Sequence, residues 1–421
     1  MHAVRRGLPL WLALFAAYAA TLAVDGRLTA PEAHRLLVAE SIATDRDLDV
    51  ADDARTGEVV ALPDRGRNLA APVLADGEPD AIVRLPTATL GHTLEPVGIG
   101  FASLAAPAYA AGDVVGAPAA AVRLWLAALT ALGFVLAAAL GRRLVPEPWA
   151  TRAALVAGLS PPVLGAAAAI SPEGVGATVL AGAALLALRV RDEPRAAWAF
   201  WCAALVGCAP WLSLKLLAPA AVIALALARW LRRRARGLTG FVALEVVLMS
   251  AVVYITVHER LYDGFNPYRD RPTGATGAAD HLERAPRLLE LWGDPGVGLL
   301  RWAPFALLAF VSLWLLWRSR RDRLAVALPA QVDVEVASAF LLLICGAVAI
   351  VAAFLAPGTS GPWFPGRELV PAAPAGAALA AWGLRFAPRT GAVLTVLTLG
   401  TSAYLLLAGL LGDLTLRPFH A

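Results

Sequence analysis

Charged side chains, and lysine above all, are scarce in this chain of 421 residues. Only 16% of the residues are charged, 59% are hydrophobic, and Lys215 is the only lysine. An ordinary soluble domain is about 25% charged and about 45–50% apolar, so the composition excludes a water-soluble globular fold. The net charge of +4 does not indicate a nucleic-acid partner, because the arginines lie in short patches between apolar runs rather than on one soluble face.

Cysteine is also rare. The three cysteines, Cys202, Cys208 and Cys345, all fall inside long apolar runs. Their spacing matches neither a disulfide framework nor a metal-binding motif, so we interpret them as small apolar packing residues.

Apolar runs long enough to cross a membrane recur along the chain. A hydrocarbon core of about 30 Å takes about 20 residues of helix, and a helix satisfies its own backbone there. We therefore predict an all-α polytopic membrane protein with about eleven transmembrane helices. The predicted spans are 8–24, 117–140, 149–168, 174–189, 196–209, 213–230, 238–257, 298–317, 337–356, 370–385 and 391–412.

The arginines between the spans predict the orientation. If the N-terminus is cytoplasmic, every inner connection carries arginine, as the positive-inside rule requires. These arginines are Arg5 and Arg6, Arg142 and Arg143, Arg189 to Arg195, Arg232 to Arg236, Arg318 to Arg323, and Arg385 and Arg389. We expect a multi-pass protein of the plasma membrane whose long polar loops are extracytoplasmic.

Two extracytoplasmic loops are long. Residues 25–116 contain an amphipathic stretch at 32–44 and an apolar stretch at 97–111, which is too short to span and is predicted to lie along the interface. Residues 258–297 form the other loop, with a short helix predicted at 279–292.

We expect residues 1–421 to form a single membrane domain with no C-terminal soluble domain. The first apolar run is interpreted as a retained anchor rather than a cleaved signal peptide, because it is longer than a usual signal core. No internal repeat is visible, which disfavours a transporter built from inverted halves.

Two carboxylates at predicted outer helix starts are functional candidates, because ionisable residues at the edge of a membrane bundle are costly to desolvate. Glu32 follows Thr29 and Pro31 at a helix start, where it is a candidate general base that partial burial would tune. Glu173, after Ser171 and Pro172, is a candidate for holding an acceptor hydroxyl or a divalent cation. Both glutamates also suit the first turn of any helix.

Two cations occupy comparable positions. Lys215 lies in an outer turn that the positive-inside rule disfavours, and Arg367 enters a span beside aromatic residues. Both suit phosphate binding, and arginine does so with a bidentate fork. The alternatives are snorkelling for Lys215 and an interfacial anchor for Arg367.

The segment after the first span resembles the corresponding segment of GT-C superfamily membrane glycosyltransferases. Glu32 fits the second acid of the family's acidic pair, and His34, Leu36, Ala39-Glu40-Ser41 and Asp47-Leu48-Asp49 follow in register. Further matches occur in the family's order. They are Gly98-Ile99-Gly100 through Tyr109, Pro172-Glu173, Pro210-Trp211 with Lys215, Leu261 to Tyr268, Asp294-Pro295 to Leu300, and Pro365-Gly366-Arg367.

The resemblance, which includes protein mannosyltransferases that use dolichyl-phosphate-mannose, implies a function. It implies transfer of a sugar from a polyprenyl-phosphate donor to an extracytoplasmic acceptor, which is a cell-envelope glycan, lipid or protein. Glu32 would be the catalytic base, and Arg367 and Lys215 would bind the donor phosphate. Glu173 and His34 would lie near the acceptor or a divalent cation, whose involvement stays open.

One departure from the family pattern bears on catalysis. Pro31 occupies the position of the family's first acid, so Glu32 acts alone, Asp25 substitutes, or the chain binds lipid-linked sugar without transferring it. A transporter or flippase is the alternative from another class, although it needs polar groups near the midplane of the membrane. The sequence identifies neither the donor sugar nor the acceptor.

Overall fold

A computed structural model describes most of the membrane part of the chain. The described residues are 2–22, 30–50, 85–86, 93–94, 98–234, 237–262, 264, 278–294, 298–322, 329–356 and 366–411. Asp25, most of the segment 261–268 and residues 51–84 lie outside them, so the roles predicted there stay predictions.

The described residues are almost entirely helical. The helices are α1 His2–Thr21, α2 Ala30–Thr44, α3 Ile99–Asp113, α4 Pro118–Gly141, α5 Trp149–Gly158, α6 Pro161–Ala168, α7 Pro172–Asp192, α8 Ala196–Leu212, α9 Leu217–Arg234, α10 Leu238–Tyr262, α11 Ala278–Glu283, α12 Arg287–Gly293, α13 Leu299–Trp302, α14 Leu307–Asp322, α15 Pro329–Ile350, α16 Ala373–Phe386 and α17 Pro388–Leu410. Short 3₁₀ segments precede α9, α14 and α16, and α15 ends in π-helical Val351–Leu355. Two antiparallel strands of two residues, Leu85–Pro86 and Thr93–Leu94, pair with each other.

The helices confirm an all-α membrane fold. Among the described residues, seven helices are long and apolar enough to cross a membrane, and the shorter apolar helices Gly7–Thr21, Ala196–Leu212 and Pro304–Arg318 coincide with three further predicted spans. The predicted span 149–168 is divided into α5 and α6. Ser160 is extended there, and Pro161 and Pro162 begin a new helix because proline suits the first helical turn.

Helices α4 and α7 pack closely against each other. Small residues let these helices approach closely, which is how helices associate in membranes. A Cβ added to Gly133 would lie 2.5 Å from Oγ1 of Thr178, and one added to Gly174 would lie 2.3 Å from Oγ1 of Thr130. Thr178 also donates a hydrogen bond to the carbonyl of Leu129 on α4 at 2.7 Å. The two helices therefore run in the same direction, and the first turn of α7 lies beside the middle of α4.

The two predicted helical stretches of the first long loop are present. The stretch 32–44 lies within α2 and the stretch 97–111 lies within α3, and α2 packs on α3, which packs on α4. The position of α3 along the membrane interface stays a prediction. The helix predicted at 279–292 is divided into α11 and α12 by a turn at 284–286, where Pro286 lacks a backbone donor.

The α4–α7 contact predicts which glycines tolerate a side chain. We expect Gly133→Leu to lower the free energy of unfolding by about 1–3 kcal/mol, because the added side chain meets Thr178. Gly400 on α17 is the matched control, since a Cβ there has nothing within 4 Å. Thermal unfolding in detergent measures both variants. Equal melting temperatures for Gly133→Leu and Gly400→Leu would contradict the packing described.

Candidate active site

Glu32 connects α2 to the segment that precedes α7. Its side chain is fully buried, with 0% of its surface exposed, rather than partly buried as the sequence predicted. Its Oε1 accepts a hydrogen bond from the backbone N–H of Ile170 at 2.8 Å and lies 3.5 Å from Nη2 of Arg123. Arg35, one turn further along α2, donates to the carbonyl of Ile170 at 3.0 Å. Glu32 and Arg35 therefore bind the backbone N–H and the backbone carbonyl of the same residue, Ile170.

Arg123 near the start of α4 is a residue that the sequence reasoning missed. It is 3% exposed inside a helix that has no other charged residue. A buried arginine in a membrane helix is costly unless it is paired, and its partners include Glu32. The available signal was an arginine five residues after Pro118 in a run counted as apolar.

A second charged cluster lies at the same end of the bundle, which we call the site end because α7 begins there. It consists of Glu173, Lys215, Arg367 and Glu368. Lys215 Nζ donates to both Oε1 and Oε2 of Glu368, each at 2.8 Å. Nη2 of Arg367 donates to Oε1 of Glu368 at 2.6 Å. Nε of Arg367 lies 3.5 Å from Oε1 of Glu173.

Local backbone structure places each member of this cluster. Glu173 is in the first turn of α7, which follows an extended Ser171 and begins at Pro172. Lys215 is in the 3₁₀ segment Leu214–Leu216, and Arg367 and Glu368 begin the 3₁₀ segment Arg367–Ala372. Gly366 precedes it with a φ of +81°, a left-handed conformation that glycine adopts without a steric penalty.

The glycine-rich motif packs against the turn that carries Lys215. A Cβ on Gly98 would lie 2.5 Å from the carbonyl oxygen of Leu212, and one on Gly100 would lie 2.6 Å from Cβ of Trp211. Only glycine permits this approach of α3 to the end of α8. Trp211 in turn packs edge-on against Tyr254 of α10. The motif thus supports the position of Lys215.

Two cavities meet at the segment Arg367–Ala372. A small cavity of about 350 Å³ is lined by polar side chains of Glu173, Ser213, Lys215 and Glu368, with apolar Val348 and Pro371. A cavity of about 1110 Å³ is almost entirely apolar, and its walls include Trp292, Phe305, Phe310, Leu342 and Leu379.

The 3₁₀ segment is the wall between them. Gly366, Leu369 and Val370 line the large cavity, whereas Glu368 and Pro371 line the small one. Residues three apart share a face of a 3₁₀ helix, so Gly366 and Leu369 face the large cavity while Glu368 and Pro371 face the small one.

The end of α15 that borders the small cavity is held by side chains from α11, the turn after it and α12. Arg284 donates to the carbonyls of Phe354 and Ala356 at 3.1 and 3.2 Å, and Arg287 donates to that of Ala356 at 3.1 Å. Nδ1 of His281 lies 2.9 Å from the carbonyl oxygen of Phe354. Cations at a helix C-terminus stabilise its carbonyl ends.

The structure thus brings together three of the residues predicted for the site. Glu173, Lys215 and Arg367 share one cluster, and Glu32 lies in the neighbouring one through Ile170, three residues before Glu173. His34 is half-buried on α2. Glu368, the acid that bridges both cations, has no role predicted from the sequence. Within the described residues, no group of three or more His, Cys, Asp or Glu side chains is placed to hold a metal ion.

Comparison with known proteins identifies the fold. No protein-family model and no curated protein matches the chain. ArnT from Cupriavidus metallidurans in the apo state matches with a TM-score of 0.51 and 18% identity over 91% of this chain and 61% of ArnT. Its structure bound to undecaprenyl phosphate gives the same TM-score and identity over 91% of this chain and 62% of that one.

The chain has a GT-C fold. It spans about three fifths of the length of ArnT. The oligosaccharyltransferase of Archaeoglobus fulgidus is a looser match, with a TM-score of 0.46 and 13% identity over 96% of this chain and 56% of that one. The GT-C fold predicted from the order of the sequence motifs is confirmed.

The contact of Glu32 with Arg123 predicts energetic coupling between α2 and α4. We expect Glu32→Gln and Arg123→Met to be non-additive by about 1–3 kcal/mol, because either change alone leaves a buried charge with fewer partners. Thermal unfolding of the two single variants and the double variant measures the coupling. Effects that add to within about 0.5 kcal/mol would show that the pair is independent.

Proposed function

We propose that the protein is a membrane glycosyltransferase that moves a sugar from a polyprenyl-phosphate donor to an extracytoplasmic acceptor. The observation that carries this proposal is that Lys215 and Arg367 both bind Glu368 beside a large apolar cavity. A lipid phosphate needs both a cationic site for its head and an apolar site for its chain. The likeness of the fold to ArnT, which has been solved with undecaprenyl phosphate, supports the same pairing here.

The donor lipid fits the large cavity. Its walls are almost free of polar groups, as the hydrocarbon chain of a polyprenyl lipid requires. Gly366 and Val370 line it on either side of Arg367 in the sequence. A polyprenyl chain in this cavity would therefore bring its phosphate to the segment that carries Arg367.

Arg367 and Lys215 would stabilise the departing phosphate. Negative charge grows on the leaving phosphate as the sugar–oxygen bond breaks, so fixed cations lower the energy of the transition state more than that of the ground state. Arg367 is suited to this because its guanidinium is held by Glu368 and Glu173. The exposed fraction of its side chain is only 17%, which strengthens its interactions with charge.

Glu32 is the proposed general base, and its burial gives it a second role. Its hydrogen bond to Ile170 fixes the segment that leads into Glu173, so Glu32 both positions the site and is a candidate for accepting the acceptor's proton. Asp25 is the alternative base. Replacement by glutamine separates the two roles, because an amide oxygen still accepts the Ile170 hydrogen bond but is not basic.

Glu173 is proposed to face the acceptor or a divalent cation. One of its oxygens contacts Arg367, whereas Oε2 is buried and accepts no hydrogen bond from any described residue. A buried carboxylate oxygen without a donor is costly, and a hydroxyl group or a cation in the small cavity would satisfy it. This supports the role predicted for Glu173 from the sequence.

The charges at the opposite end of the bundle support the proposed orientation. The arginines there pair with acids in Arg142–Glu147, Arg143–Asp192 and Arg191–Asp333. An arginine-rich end is expected on the cytoplasmic side. We therefore place the N-terminus in the cytoplasm and the site end on the outer face of the plasma membrane.

Replacement of Glu32 tests the enzyme and its base together. Purified protein is supplied with a panel of labelled polyprenyl-phosphate sugars and a membrane extract as acceptor. We expect Glu32→Gln to lower the rate of transfer by about 10²–10⁴-fold, which is the usual contribution of a general base. Glu147→Gln, which removes one carboxylate at the opposite end, is the matched control.

The outcomes of this assay assign the base. Transfer that survives in Glu32→Gln and disappears in Asp25→Asn would move the base to Asp25, and loss only in Glu173→Gln would move it to Glu173. Absence of transfer by the wild type with every donor would favour a lipid-linked-sugar binder or a transporter.

The fork of Arg367 is tested by a substitution that keeps its charge. We expect Arg367→Lys to lower the rate of transfer by about 10²-fold, because a lysine does not reproduce the paired hydrogen bonds to phosphate. Arg389→Lys, which lies at the start of α17, is the matched control. Full activity in Arg367→Lys would exclude a bidentate phosphate contact.

A further inference from the structure

Glu368 occupies the position of an anion between two cations. Both of its oxygens accept from Lys215 Nζ, and Oε1 also accepts from Arg367, at distances of 2.6 to 2.8 Å. Glu173, by contrast, reaches only Nε of Arg367 at 3.5 Å. Two donors of the Lys215 ammonium and one donor of the Arg367 guanidinium are therefore engaged by a carboxylate of the chain itself.

We infer that Glu368 is a built-in competitor for the lipid phosphate, which weakens binding of the phosphomonoester product more than binding of the phosphodiester donor. This inference rests on the proposed function, since it concerns the same phosphate site. A phosphate reaches Lys215 and Arg367 only by displacing the Glu368 carboxylate or by lying beside it. Either route costs binding free energy.

The charges determine which ligand loses more. Glu173 and Glu368 balance Lys215 and Arg367, so the cluster has no net charge. A sugar phosphodiester carries one negative charge, whereas the phosphomonoester released by transfer carries about 1.5 to 2 near pH 7. Repulsion from a fixed carboxylate scales with the charge of the ligand, so Glu368 disfavours the product more strongly than the donor.

The surroundings of Glu368 support displacement. Its side chain lines the small cavity, so the carboxylate borders open space on that side rather than packed side chains. Only 9% of the side chain is exposed, so water screens its charge weakly. Lys215 is the most exposed member of the cluster, with 34% of its side chain accessible. It is the member that an arriving phosphate contacts first.

The competition by Glu368 affects turnover because it favours release of the product. An enzyme that holds its charged lipid product tightly is limited by dissociation of that product. By returning to Lys215 and Arg367 after transfer, Glu368 replaces the phosphate contacts one by one. Glu368 is thus a specificity-determining residue that acts through the ligand's charge.

The experiment compares two probes that differ by one charge. Farnesyl phosphate represents the monoester and farnesyl methyl phosphate the diester, and binding of each to protein in uncharged lipid nanodiscs is measured by calorimetry at pH 8. We expect E368Q to bind the monoester at least about tenfold more tightly and to bind the diester about threefold more tightly. The gain should disappear in the double variant E368Q/K215M.

Glu147→Gln is the matched control, because it removes one carboxylate about 30 Å away, beyond the far end of the 21-residue helix α7. Equal affinities in E368Q and wild type, a loss of affinity for both probes, or a gain of the same size for both would overturn the inference. Failure of both wild type and E368Q to bind either probe would also overturn it. A merely structural ion pair predicts no difference between the probes.

A measurement on the wild type keeps the test valid if E368Q does not fold. With the competitor in place, the wild type should bind the diester at least as tightly as the monoester. A preference for the monoester of more than about tenfold would overturn the inference. Because these measurements need neither sugar nor acceptor, they are independent of the transfer assay. Charge-dependent binding without any transfer would contradict only the proposed enzymatic activity. Transfer combined with charge-independent binding would contradict only the role of Glu368.

Discussion

Pairing of buried charges at the site end is the constraint on which this structure depends. A charged group removed from water is stable in a membrane bundle only with an opposite charge and hydrogen bonds around it. Glu32 meets this requirement through Ile170 and Arg123, and Arg367 meets it through Glu368 and Glu173. The partners come from distant parts of the chain, so the charges can be buried only when the whole bundle is assembled.

The hydrophobic part of the fold could be predicted from the sequence because hydropathy is a local property. Ten predicted spans coincide with apolar helices among the described residues, and the eleventh is interrupted where Pro161 and Pro162 follow an extended Ser160. The turn at Pro286 divides another predicted helix for a similar reason. Proline is present in both places, but the apolar or helical pattern continues on both sides of it and therefore favours a single helix.

The site could be predicted only in part, because a sequence does not show which charges meet. Glu173, Lys215 and Arg367 were found from their positions at the ends of spans, and the structure places them in one cluster. Glu368 and Arg123 were missed since their partners lie 153 and 91 residues away. An acid directly after Arg367 and an arginine inside an apolar run were the only local signals. The full burial of Glu32 depends on Ile170, 138 residues away, which amphipathicity does not reveal.

The segment Arg367–Ala372 lines both the large apolar cavity and the small charged cavity. Leu369 and Val370 line the large cavity, while Glu368 lines the small one, and all three belong to a single helical segment of six residues. Because Leu369 and Glu368 are adjacent in so short an element, the proposed function implies that a lipid chain which moves Leu369 would also move Glu368. A lipid phosphate would then have an advantage over inorganic phosphate in competing with Glu368, since only the lipid makes contacts in the large cavity.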